Sequence, residues 1–88
     1  MARQKTERNN IVLRPVKNKL QEVRDENYAA MMGNTLEACV AAGRYACACV
    51  FLDGMTPEDA EDGIQILPAD WPQRRGWQEI IKQFKGLI

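Results

Sequence analysis

Apolar residues recur along this chain at helical spacing in most places and at alternate positions in one. Val16, Leu20, Val23, Tyr28 and Met31 fall at roughly helical intervals. That spacing predicts a helix over 16–31 with these side chains inward and Asn27 as an imperfection on the face. Pro15 suits its first turn. Gly33 then breaks the pattern, and Asn34 or Thr35 can cap the next helix. Residues 35–52, TLEACVAAGRYACACVFL, are apolar on nearly every side, and such a helix must be buried all round. Asp53-Gly54 ends it with glycine in the usual place. Thr56-Pro57-Glu58-Asp59 is a start signal for a helix over 56–62, with Gly63 as its stop. Residues 64–67, IQIL, read as an extended connector. Asp70-Trp71-Pro72-Gln73 is a second start signal with Asp70 as the cap. It opens a helix over 71–86 that aligns Trp77, Ile80, Ile81 and Phe84, with Lys82 and Lys85 suited to its C-terminal end.

The exception is RNNIVLRPV, which begins at Arg8. Ile11 and Leu13 alternate with Asn10, Val12 and Arg14, the period of a β-strand over 8–14. A lone strand needs a partner for its backbone groups. The predicted fold is therefore mostly α: a flexible basic arm over 1–7, then a single small domain over 8–88 made of one short strand and three to four helices.

With 88 residues, such a chain buries a modest core and often completes it by oligomerising. The apolar helix over 35–52 predicts a homodimer with Ala42, Gly43, Ala46 and Val50 at the interface, where the small residues allow close approach of a second copy; the alternative is that the other three helices of one chain wrap it. Net charge is zero, but its distribution is uneven. Residues 1–24 carry seven bases against Glu7 and Glu22; residues 25–70 carry nine acids against Arg44; residues 71–88 carry four bases against Glu79. A basic–acidic–basic order points to a basic arm seeking a partner of opposite sign, or else to an ordinary solvated surface.

The polar start predicts no secretory leader. The most apolar run, 38–52, is too short for a membrane span and holds Arg44. These features, with an odd number of cysteines, predict a cytoplasmic protein in a reducing compartment. Cys39, Cys47 and Cys49 stand in a chain without histidine. On a helix, 47 and 49 point apart, so no metal is expected and all three are read as buried structural residues. Without histidine, a phosphate loop or a nucleophile elbow, no catalytic residue, cofactor or enzyme activity is expected. Glu58, Asp59, Glu61 and Asp62 crowd one region, where acids favour a helix N-terminus.

The succession NNIVLRPV, helix, MGNTLEACV resembles the ribbon-helix-helix DNA-binding proteins over about residues 8–50. The resemblance implies paired strands from two chains entering the major groove of double-stranded DNA. Asn10, Val12 and Arg14 would face the bases, and the amides of Asn34 and Thr35 would meet phosphate. Arg3, Lys5 and Arg8 would add phosphate contacts from the arm. The function so implied is a small dimeric regulator of the transcriptional repressor type, of phage or plasmid kind. A second reading is a non-enzymatic inhibitor or adaptor that binds a protein target, such as a phage-encoded anti-CRISPR or host-takeover protein. Its features are the acidic middle and Trp71 and Trp77, which serve either as interface anchors or as core.

Overall fold

The computed structural model describes residues 14–88, which form four helices: α1 (Arg14–Ala30), α2 (Leu36–Leu52), α3 (Pro57–Ile64) and α4 (Pro72–Phe84). Among the described residues there is no strand. The expected strand over 8–14 lies outside them except for Arg14, which begins α1. Arg14 is therefore a helical residue, because Pro15 fixes a backbone angle that already suits a first helical turn.

Helix α2 occupies the middle. α1 folds back along one side of it and α4 packs on another, while α3 rests chiefly on α4. The Thr35 hydroxyl starts α2 by accepting from the Ala38 amide at 3.0 Å. Its end is a glycine cap. The Gly54 amide donates to the Phe51 carbonyl and the Met55 amide to that of Val50, with Gly54 at φ 108°.

The core joins Leu20 and Val23 of α1, Cys47, Ala48 and Phe51 of α2, Ala60 and Ile64 of α3, and Ile80, Ile81 and Phe84 of α4. The inward face of α1 differs from the predicted one. Tyr28 is 52% exposed and only meets Tyr45 in a tilted ring pair, with centroids 5.7 Å apart. Asn27 is buried instead. It tolerates burial because its polar atoms are satisfied: Nδ2 donates to the Val23 carbonyl at 2.8 Å, and Oδ1 accepts from Arg44 Nη1 at 3.3 Å.

Close approach along α2 is achieved within one chain. Gly43 and Gly76 are both buried at the α2–α4 crossing. A Cβ on Gly43 would lie 2.0 Å from the Gln73 carbonyl oxygen, and one on Gly76 would lie 2.1 Å from that of Val40. Gly43 is thus taken up by α4 and not by a second copy. Val50 packs against the core, while Ala42 and Ala46 remain half-buried. Ala42, Ala46 and Val50 follow one another at four-residue spacing along one half-buried stripe of α2, and of the four residues expected at a dimer face only Gly43 is fully buried, against α4.

Three local expectations are also corrected. α3 runs through Gly63 to Ile64, since a glycine in helical conformation weakens a helix without stopping it. Residues 65–67 form successive turns, with the Leu67 amide donating to the Ile64 carbonyl, and are not extended. The cap of α4 is Trp71, without a side-chain hydrogen bond, and Asp70 stands one residue outside.

Candidate functional site

Helix α3 begins as its sequence dictates. The Thr56 hydroxyl accepts from the Asp59 amide at 3.2 Å, Pro57 fills the first position, and Glu58 and Asp59 sit where the helix dipole favours them. Ala60 and Ile64 face inward, which turns Asp59 and Gly63 towards the first half of α4. The connector back to α4 is pinned by Arg74, whose Nη1 donates to the Leu67 carbonyl at 2.8 Å. A further bond, from the Arg74 amide to the Trp71 carbonyl, closes the turn that starts α4.

These elements enclose an open cavity of about 290 Å³. Met55, Ile64, Leu67, Trp71 and Trp77 supply its apolar walls, and among the described residues Asp59 is its one charged lining residue. The cavity is near the lower end of the usual range for ligand pockets, roughly 300–1,000 Å³. Both tryptophans of the chain are only half-buried and both line it. Ile66, between the lining residues Ile64 and Leu67 in the chain, is 86% exposed. An apolar recess with aromatic walls and a bare aliphatic residue in the turn that lines it is the composition of an interface centre.

The surroundings are acidic. Residues 45–73 hold Asp53, Glu58, Asp59, Glu61, Asp62 and Asp70 and no Lys or Arg. Glu61 pairs with Lys85 at 3.0 Å, and that hydrogen bond raises the pKa of the Lys85 ammonium. Glu58, Asp59 and Asp62 are exposed, and none forms an ion pair among the described residues.

Of the nucleic-acid contacts suggested by sequence, Arg3, Lys5, Arg8, Asn10 and Val12 lie outside the described residues. Arg14 is exposed in the first turn of α1, whereas Asn34 and Thr35 are exposed beyond its far end. They lie about 25 Å apart along the axis at helical rise. The structure therefore does not bring them together on one chain. The Thr35 hydroxyl is committed to capping.

The cysteines divide. Cys47 is fully buried, and burial pushes its thiol up to about 12. Cys39 and Cys49 are only half-buried, so the expectation of three core cysteines holds for Cys47 alone. The neighbouring Cys49 side chain raises the Tyr45 pKa. Among the described residues, no group of three metal-ligating side chains is placed to hold an ion, and no helix is long and apolar enough to cross a membrane.

The pocket joins residues 55 to 77, and sequence reasoning singled out Trp71, Trp77 and the acids without placing them around one recess. The signal was present in the tryptophans and in the acidic run; their convergence depends on how α3 folds against α4. No protein-family model, no curated protein and no solved structure matches the chain.

Proposed function

We propose that this protein is a non-enzymatic binding module, an inhibitor or adaptor that works by docking on another protein. The observation that carries this reading is the convergence of Trp71, Trp77, Met55 and Leu67 on one open apolar recess, with the bare Ile66 in the turn that lines it. Half-buried tryptophans in a recess are the kind of anchor that dominates protein–protein affinity. The reading fits a small cytoplasmic protein of the type phages encode against host machinery.

The test uses a photocrosslinking residue at Ile66, with a control at the exposed Glu22 on α1. A partner crosslinked from Ile66 is identified, purified and titrated by calorimetry. Ile66→Asp should leave the fold unchanged and weaken that binding about tenfold or more, because a charge at the rim of an apolar contact is desolvated. Equal crosslinking from both positions, or unchanged affinity of the variant, rejects this reading.

One feature favours the second reading, a dimeric DNA-binding regulator acting through its basic N-terminal end. α1 opens with Arg14 and Lys17 and has no acid in its first turn. Cations there oppose the helix dipole, and an anionic partner would offset that local cost. Arg14, Lys17 and Lys19 are exposed, and none forms an ion pair among the described residues. A salt series with a mixed DNA duplex decides it. Binding that weakens steeply with salt, with a slope reduced by Lys17→Ala, supports this reading; a salt-independent absence of binding removes it.

A further inference from the structure

Gly63 stands apart from the other glycines of the chain. Gly43 and Gly76 lack side chains because the α2–α4 crossing has no room for them, and Gly33, Gly54 and Gly86 have positive φ. Gly63 lies inside α3 with neither reason. A Cβ built on it meets no atom within 4 Å. Alanine at this position would improve helix propensity in an element of only 8 residues. Gly63 is exposed and is one of the residues lining the apolar pocket, so a side chain here would stand at the cavity wall. The missing side chain therefore serves the cavity, not the fold.

We infer that Gly63 keeps this pocket open for one bulky apolar side chain presented on a basic segment of a partner protein, an inference that rests on the protein-binding reading above. The apolar walls select the anchor, since a polar side chain entering between Trp71, Trp77, Leu67 and Met55 would lose its hydration without gaining partners. The rim selects the flanks. Asp59 lies in the pocket wall, and Glu58 and Asp62 are exposed on the same helix. Residues 45–73 hold no base, and of those that reach this region Arg74 is bonded to the Leu67 carbonyl and Lys85 to Glu61, which leaves Glu58, Asp59 and Asp62 without an ion pair among the described residues. Lysine or arginine on either side of the anchor meets these carboxylates, whereas acidic flanks meet like charge.

The two tryptophan indole N–H groups are built-in reporters, since Trp71 and Trp77 are the only tryptophans. Their NMR signals are followed during titration with three capped peptides, Lys-Arg-Leu-Arg-Lys, Glu-Glu-Leu-Glu-Glu and Lys-Arg-Gly-Arg-Lys. The first should shift both signals. The second should bind about tenfold more weakly or worse, and the third should leave both signals in place. Gly63→Leu, whose Cβ meets no atom within 4 Å, should keep the helical circular dichroism and lose the response. Asp59→Asn together with Asp62→Asn should keep leucine binding while narrowing the preference for basic flanks.

Equal binding of the acidic and basic leucine peptides overturns the inferred partner chemistry, while the crosslinking test at Ile66 judges the protein-binding reading separately. A Gly63→Leu protein that responds like the parent overturns the role of Gly63. Failure of the basic leucine peptide to move either indole signal overturns the inference as a whole. Indole signals that shift on dilution of the protein alone assign the pocket to a second copy of this chain, and also overturn it.

Discussion

Arg44 Nε donates to Glu79 Oε1 at 2.7 Å, and the same guanidinium reaches Asn27 Oδ1 through Nη1 at 3.3 Å. One side chain of the central helix thus ties α1 to α4. The two bonds differ in worth. The Glu79 carboxylate is 43% exposed, so solvent screens the ion pair and its share is less than about 1 kcal/mol. Asn27 is 8% exposed, and stranding its buried oxygen costs about 1–3 kcal/mol. Arg44→Met should therefore destabilise by more than Glu79→Gln in urea unfolding. Equal losses would show that the ion pair, not the buried amide, is what Arg44 supports.

Alanine substitutions at glycine should separate the crossing from the pocket. Gly43→Ala and Gly76→Ala place a Cβ against backbone carbonyls that cannot swing aside. Each should cost about 3 kcal/mol, the upper end for overpacking. Gly63→Ala should stabilise by about 0.5–1 kcal/mol, since it meets nothing and reduces the freedom of the unfolded chain. Thermal melts of the three variants provide the check, and a lowered midpoint for Gly63→Ala would contradict the open space above it.

Cys47 should give stability an alkaline slope. Its thiol is raised by burial from 9.0 to about 12. Above its ordinary value the unfolded chain releases this proton while the folded chain keeps it. The contribution is thus complete below about pH 9 and falls as pH rises from there towards 12. Cys47→Ala should lose about 1–2 kcal/mol of packing near neutral pH and should lose less than the parent on going from about pH 8 to about pH 10.5. Parallel unfolding curves at the two pH values test the sign.

The helices were legible in the sequence because their signals are local. Thr56 caps where the pattern placed it, Thr35 is the one of the two candidates that caps α2, and Gly54 closes that helix as expected. Asp70 failed as a cap because Trp71 takes the cap position beside the Pro72 that begins α4, a choice between neighbours that hydrophobic spacing does not make. Tyr28 and Asn27 exchanged places for a tertiary reason: Arg44, distant in sequence, satisfies the buried amide. The small residues of α2 announced a close helix contact but not with which helix. The partner, Gly76, carries no periodic signal of its own. The pocket was illegible for the same reason, since its walls come from two helices and a turn whose angle is set by Arg74 and Leu67.

Helix α3 packs chiefly on α4 and joins the common core through only a few buried residues, Pro57, Ala60 and Ile64. Its side-chain ion pair to the end of α4, Glu61 to Lys85, is half-exposed and of small worth. This helix should therefore open as a unit while α2 stays closed, and its amides should exchange with deuterium well before those of Val40 to Ala48. One wall of the recess is then a door on a light hinge. A ligand that spans α3 and α4 would slow exchange first, and most, in Ala60 to Ile64, so that the least protected helix of the free protein becomes the clearest reporter of occupancy.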